Sequence, residues 1–274
     1  MKLDCHIHSS FESFEMDVFL DYMKKAGVDG GAIFSPAPKS MAFSGGIENR
    51  TTEERIDKVM EIVSADSNLY PFFWIDPTEE DALQQVSLAI SKGVVGFKVI
   101  CNHFFPGDSR AMPTYNAIAK AGKPLIFHSG ILWDGLPSSK YNRPAEFEAL
   151  LDVDGLKFAL AHVSWPWHDE CIALYGKFES AHNARPDLSV EMFIDVTPGT
   201  PPIYREEVLR KLYTVGYNIE NNIMFGTDSS TSNTSFDDKK FWVDTDNSLL
   251  EKLNLSKEAI DRFFQGNFKR FIGV

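Results

Sequence analysis

A chain of 274 residues with 43% hydrophobic and 24% charged residues holds ample material for a large core, which excludes intrinsic disorder; the length suits one α/β barrel of about 250 residues, so residues 1–274 are read as a single domain. The formal net charge of -12 disfavours nucleic acid and anionic membrane surfaces as partners, and Cys5, Cys101 and Cys171, without a C-x-x-C pair, make neither a disulfide framework nor a zinc knuckle. With no signal-like start and no run near the ~20 apolar residues of a membrane span, a cytoplasmic protein is expected, and a homo-oligomer is compatible with the sequence.

From the N-terminus, short apolar runs rich in β-branched and aromatic residues alternate with stretches of helical periodicity, the pattern of βαβ units around a parallel sheet. The run 2–8 precedes a helix over 16–26, and the run 31–35 leads through a long loop, 36–51, into a helix over 52–65. The run 69–76 is followed by a helix over 79–91, whose acidic first turn, Glu79, Glu80 and Asp81, suits the positive end of a helix. Long loops, 101–112 and 129–144, follow the runs 94–100 and 124–128. The run 156–163 precedes a helix over 168–183, the run 188–195 a helix over 205–215, and the run 222–228 a long loop over 229–246, with a last helix over 256–264. Eight strands, short turns into each strand and long loops out of it predict an α/β fold: a single (β/α)8 TIM barrel whose elaborated C-terminal rim carries the chemistry.

Buried parallel strands are normally apolar throughout, yet each of these runs ends in a polar group: His8, Ser35, Asp76, Lys98, His128, His162, Asp195 and Asp228. In Asp4-Cys5-His6-Ile7-His8 the two-residue strand period puts His6 and His8 on one face, into the barrel mouth, with Cys5 and Ile7 toward the helices. Two imidazoles at that spacing can chelate a divalent ion, with Asp4 placed to orient one of them; an H-x-H pair alone is equally compatible with two satisfied core histidines. His128, His162 and Asp228, each arriving after its own apolar run, tip the balance toward a metal site.

The combination of D-x-H-x-H on the first strand, single histidines on the fifth and sixth, and an aspartate on the eighth resembles the amidohydrolase superfamily. The sequence is similar more narrowly to its amidohydrolase-2 group, through Gly96-Phe97-Lys98-Val99, Leu160-Ala161-His162-Val163, Pro166-Trp167-His168-Asp169-Glu170 and Gly266-Asn267-Phe268-Lys269-Arg270-Phe271-Ile272-Gly273. The resemblance implies that His6, His8, His128 and Asp228 hold one divalent metal, zinc before manganese, iron or nickel, and one ion rather than two. It implies that His162 polarises the substrate carbonyl or serves a second metal. Lys98 is either carboxylated and bridging, or an ordinary lysine pairing with Asp228 or a substrate carboxylate.

The implied activity is a metal-dependent hydrolase that cleaves an amide, ester or lactone of a small, anionic molecule with metal-activated water, Asp228 and His162 being the catalytic groups. The alternatives are non-oxidative decarboxylation of an aromatic or unsaturated acid at the same metal, and a barrel that only binds ligand. On the rim loops, Trp133, Trp165 and Trp167 are candidates for an aromatic wall. Arg143, with Arg50, Arg110 and Lys140, is a candidate for a substrate carboxylate. His103, His168 and His182 read as loop or helix-end histidines outside the ligand set, and Asp76 and Asp195 as helix-capping or loop-shaping groups.

Overall fold

The computed structural model of the protein describes residues 1–44, 50–232 and 236–274. Each expected strand is present, and each is shorter than its apolar run except β2, which has the same length shifted one residue toward the N-terminus: β1 Leu3–His8, β2 Gly30–Phe34, β3 Leu69–Trp74, β4 Gly96–Val99, β5 Leu125–Phe127, β6 Lys157–Leu160, β7 Glu191–Asp195 and β8 Ile223–Met224. A ninth, β9 Ser229–Ser230, follows at once, and all pair in parallel in the order β8-β7-β6-β5-β4-β3-β2-β1-β9.

β8 and β9 are thus two pieces of one chain segment, the first against β7 and the second against β1, so the sheet curls until both its edges belong to residues 223–230. Asp228, at φ 52°, turns the backbone between them into the left-handed region, where a strand ladder cannot continue. The barrel is therefore only partly closed as regular sheet. Single bonds bridge the seam, from the Cys5 N–H to the Phe225 carbonyl at 3.0 Å and from the Thr231 N–H to the His8 carbonyl at 2.9 Å. The run expected as strand to 163 likewise stops at Leu160, because His162, Val163 and Ser164 all have positive φ.

The helices are α1 Met16–Ala26, α2 Thr52–Val63, α3 Ala82–Ser91, α4 Met112–Lys120, α5 His168–Ala184, α6 Arg205–Thr214, α7 Phe236–Lys252, α8 Lys257–Asp261 and α9 Asn267–Ile272. Local chemistry explains several boundaries. Thr51 starts α2 with a capping box, its hydroxyl accepting from the Glu54 N–H while the Glu54 carboxylate accepts from the Thr51 N–H, and Gly27, left-handed at φ 80°, ends α1. Two expectations are corrected: the helix placed over 79–91 starts only at Ala82, so Glu79, Glu80 and Asp81 precede it and are not its first turn, and one loop is shorter than expected. The loop placed over 229–246 contains the start of α7, whose first turn carries Asp237 and Asp238. Between β5 and β6, 3-10 turns at Ser139–Asn142 and Pro144–Asp152 stand where a barrel helix would be.

Two apolar layers follow. Inside the ring, Leu3, Cys5, Ala32, Phe34, Phe72, Ile126, Ala159, Phe193 and Met224 pack on Phe268 and Phe271 of α9, which plugs the end of the barrel away from the polar rim. Between sheet and helices lies the larger layer, with Ile7, Phe19, Ile33, Ile56, Phe73, Phe97, Phe127 and Phe158 among its members. Among the described residues no helix is long and apolar enough to cross a membrane.

Candidate metal centre

β1 brings two histidines to the rim by a departure from simple alternation. Its register against β2 shifts between Asp4 and Ile7, so Cys5 packs inside the ring, contrary to the expectation that it faces the helices, while Ile7 packs outside. An irregularity of this kind re-aims side chains. His6 is thereby fully buried beside His8, their ring centroids 5.1 Å apart.

The fixed point of the site is Asp195, at the end of β7, whose Oδ2 lies 2.6 Å from His6 Nδ1. A carboxylate only accepts, so the proton sits on Nδ1 and the lone pair on Nε2 faces the mouth. There His6 Nε2 stands 3.2 Å from His8 Nε2 and 3.4 Å from Asp228 Oδ1, and His8 Nε2 stands 3.3 Å from the same oxygen. Ligand atoms bound at about 2.0–2.1 Å to a tetrahedral zinc are spaced about 3.3–3.4 Å apart, so these three fit one face of such a shell. His6, Asp228 and His162 also each offer an atom within 4.8 Å of the others. Two or three imidazoles and a carboxylate, with no thiolate, suit a borderline divalent cation.

His128 is placed differently from its sequence-based role. Its Nε2 lies 3.2 Å from the Ile131 carbonyl and its ring centroid 5.0 Å from that of His162; it lines the cavity, while His162 shares the group with His6 and Asp228. Lys98 on β4 is fully buried, its Nζ 3.3 Å from His6 Nε2 and 5.1 Å from the centre of the Phe34 ring. Asp4 does not orient an imidazole: Oδ1 accepts from the backbone N–H groups of His6 and Thr227 at 2.9 and 3.0 Å, and Oδ2 from the Thr227 hydroxyl at 2.5 Å. It ties β1 to the turn that presents Asp228. Asp195 does the orienting. The sequence offered only its strand-end position as a signal.

Burial sets the protonation of the site. It holds His6 down to about 3, with the Lys98 charge adding to the effect, and lowers His162 and His128 as well, so these rings are neutral at pH 7. Burial also brings Lys98 down to about 8 and pushes Asp4 up to about 7. For Asp228 burial acts upward, but the neighbouring His6 and His162 outweigh it and leave the carboxylate well below its usual range.

The group opens on a cavity of about 380 Å³ whose apolar lining includes Trp74, Ile100, Leu132, Trp133 and Trp165. Trp133 stacks on Trp165 with centroids 6.1 Å and planes 18° apart. Arg143 is absent from the lining. Its Nε donates to Glu170 at 2.9 Å and its guanidinium lies over Trp167, outside the cavity. Arg50 pairs with Glu54 and Arg110 with Asp108, while Lys140 sits over Tyr141. Among the described residues Lys98 is the one lysine or arginine in the lining. His103 and His182 contact Thr78 and the Val190 carbonyl, and His168 contacts Thr200, whose hydroxyl donates to the His162 carbonyl; none of the three lines the cavity.

The sequence pattern of one family, described as amidohydrolase, matches residues 3–274. Among curated proteins nothing matches the chain. Solved structures match in fold. A TIM-barrel protein from Bordetella bronchiseptica is 16% identical with a TM-score of 0.68, covering 94% of this chain and 83% of its own. An amidohydrolase from Burkholderia multivorans with bound zinc is 13% identical at TM-score 0.66, over 100% and 99% of the two chains. A 2,6-dihydroxybenzoate decarboxylase from Rhizobium is 12% identical at 0.66, over 99% and 98%.

Proposed function

Since the chain belongs to the amidohydrolase family, we propose that it is a metal-dependent hydrolase that cleaves an amide, ester or lactone in a small, anionic molecule. The observation that carries this reading is the triangle of His6 Nε2, His8 Nε2 and Asp228 Oδ1, with sides of 3.2–3.4 Å, at the floor of a cavity. His162 is the fourth candidate ligand, and His128 stands beside it. Zinc is the favoured ion, supported by the donor set and by the bound zinc of the Burkholderia multivorans amidohydrolase.

A divalent cation in this shell supplies a water of pKa about 7 and a Lewis acid for a carbonyl oxygen. The protein's own groups do the rest. Asp228, ionised and partly open to the cavity, takes the proton of the attacking water and returns it to the leaving group. Lys98 faces the oxygen on which charge develops, and His162 serves as a candidate ligand of the cation. As the cation of the lining, Lys98 also pairs with a substrate carboxylate, the part for which Arg143 lacks the position. The Trp133 and Trp165 wall excludes water and seats the apolar part of the substrate.

Asp228→Asn is expected to keep zinc within about tenfold of the parent affinity while losing on the order of 10²–10⁴ in turnover; an unchanged rate defeats the assignment. Chelation should abolish activity and zinc restore it. A protein that binds zinc and small acids yet turns over none of a panel of amides, esters and lactones is a binder and no catalyst. The aromatic wall beside Lys98 favours a second reading, decarboxylation of an aromatic acid, the reaction named for the Rhizobium neighbour. Carbon dioxide release from a panel of aromatic acids separates the two. We place this activity in the cytoplasm, on small molecules and away from nucleic acid and membranes.

A further inference from the structure

The cavity is graded in depth. At its floor Lys98 and His6 are fully buried and Trp74 is 3% exposed, while Trp133, on the loop after β5, is 75% exposed, the one large apolar side chain of the described lining that stands out in solvent. One face of its indole is taken, stacked on Trp165. At that exposure the other face is open.

The backbone beneath the stack is pinned. The Ile131 N–H donates to the Trp165 carbonyl at 2.9 Å and the Trp165 N–H to the His162 carbonyl at 3.1 Å. The Leu132 N–H donates to the Ser139 hydroxyl at 3.1 Å, and the buried Ser129 hydroxyl to the Ala161 carbonyl at 2.6 Å. Gly130, at φ 96°, lies so near Trp165 that any Cβ there would collide with its carbonyl oxygen. The loops after β5 and β6 thus form one unit that carries both indoles and runs directly into His162. A flat side chain on fixed backbone offers contact area at little cost in conformational entropy, and an indole so far out of the core adds little to folding. Its open face suits a partner that is itself flat, because stacked rings gain more than the area they bury.

We infer that Trp133 is a specificity-determining residue, whose open face receives a planar aromatic ring of the ligand at the mouth of the cavity. The ring is set off from the acid group by a short linker, since Lys98, the cation of the lining, lies at the buried end. A volume of about 380 Å³ leaves room for both, falling in the range of about 300–1,000 Å³ of pockets that enclose ligands of several groups. The substrate class is then an acid that carries an aryl group on a linker, with carboxylate and scissile bond at the floor. The scissile bond rests on the hydrolase reading above; the ring contact does not.

The test is isothermal titration calorimetry on the full-length protein as purified, with two probes matched in charge and chain length, 3-phenylpropanoate and 3-cyclohexylpropanoate. The saturated acid is the larger apolar body, so burial of area alone would favour it. The parent protein is expected to bind the flat acid about 2–10-fold more tightly. Trp133→Leu, which keeps apolar bulk without a ring, should erase that preference, and Trp133→Phe, which keeps a flat face, should retain it. The ratio of the two affinities is the readout, because a general loss of fold or of metal weakens both acids alike. Equal affinities in the parent, no binding of either acid, or a leucine variant that keeps the preference overturns the inference, and the parent ratio decides it even if a variant fails to fold. The expected preference in a protein that turns over no amide, ester or lactone would refute the hydrolase reading alone. Turnover by a protein with no such preference would refute this inference alone.

Discussion

At the scale of single residues, Asp195 carries more of the site than its strand-end position announces. Replacing it by Asn removes the anion at His6 Nδ1, 2.6 Å away, and leaves an amide that can turn either of two groups toward the ring. Zinc affinity in Asp195→Asn is expected to drop by about 10–100-fold, with the far-ultraviolet circular dichroism unchanged; retention of the parent affinity would show that His6 needs no fixed tautomer. Asp4 has the opposite electrostatics. Burial raises its carboxyl from 3.8 to about 7, so between those values the folded chain keeps a proton that the unfolded chain has lost. The stability from this group is therefore complete below pH 3.8 and drains away as pH rises to about 7. In metal-free protein, Asp4→Asn should flatten that part of the profile, read as the difference between urea midpoints at pH 4 and pH 8; parallel profiles for the two proteins would contradict the shift. His6, His8 and Asp228 were legible because ligand-type side chains at the ends of apolar runs break a strong rule. The role of Asp195 was not, since it depends on a contact across 189 positions, and neither was the fate of Arg143, which depends on where Glu170 happens to fall.

Among elements, α6 and α7 are joined by a pair invisible in the sequence. Arg205 Nε and Nη2 donate to Asp246 Oδ1 and Oδ2 at 2.7 and 2.6 Å, both side chains at 1% exposure or less, and Arg205 also donates to the Val196 carbonyl. It thus backs the chain just after Asp195. Removing one partner strands a buried charge, so Asp246→Ala should destabilise by about 3–5 kcal/mol in urea unfolding, with the Arg205→Met/Asp246→Leu double variant closer to the parent. A single variant within 1 kcal/mol (about a fivefold change in the folding constant) would mean that water reaches the guanidinium. Strand positions were readable from short apolar runs rich in β-branched and aromatic residues, and α1 and α2 from the helical periodicity between those runs. The register shift within β1 carries no glycine or proline to mark it, and the polar run Asp237-Asp238-Lys239-Lys240 hid the first turns of α7 because four successive charges resemble a loop, although Lys239 is buried.

For the whole molecule, the barrel core separates two tasks. Phe268 and Phe271 of α9 fill the closed end, and the candidate metal group lies at the other, on the rim. Phe271→Ala should cost about 3–5 kcal/mol by urea unfolding and leave zinc affinity in the folded protein at the parent value. A matching loss of affinity would mean that the inner layer transmits strain from one end to the other. The eight-strand architecture was legible from alternation and loop asymmetry together. The incomplete ladder at the seam was not, because residues 222–228 read as one apolar run and nothing in it foretold the left-handed turn at Asp228.

That seam also orders events during synthesis. His6 and His8 leave the ribosome ahead of residues 225–231, which hold the carboxylate that completes their triangle and the two hydrogen bonds that clasp β1. A nascent chain can assemble most of its parallel ladder and still have no ring and no competent binding site. The triangle is complete only when the far edge swings round to meet β1, so on the metal-dependent reading proposed above, capture of a cation would come as the closing act of folding and lock a nearly finished barrel.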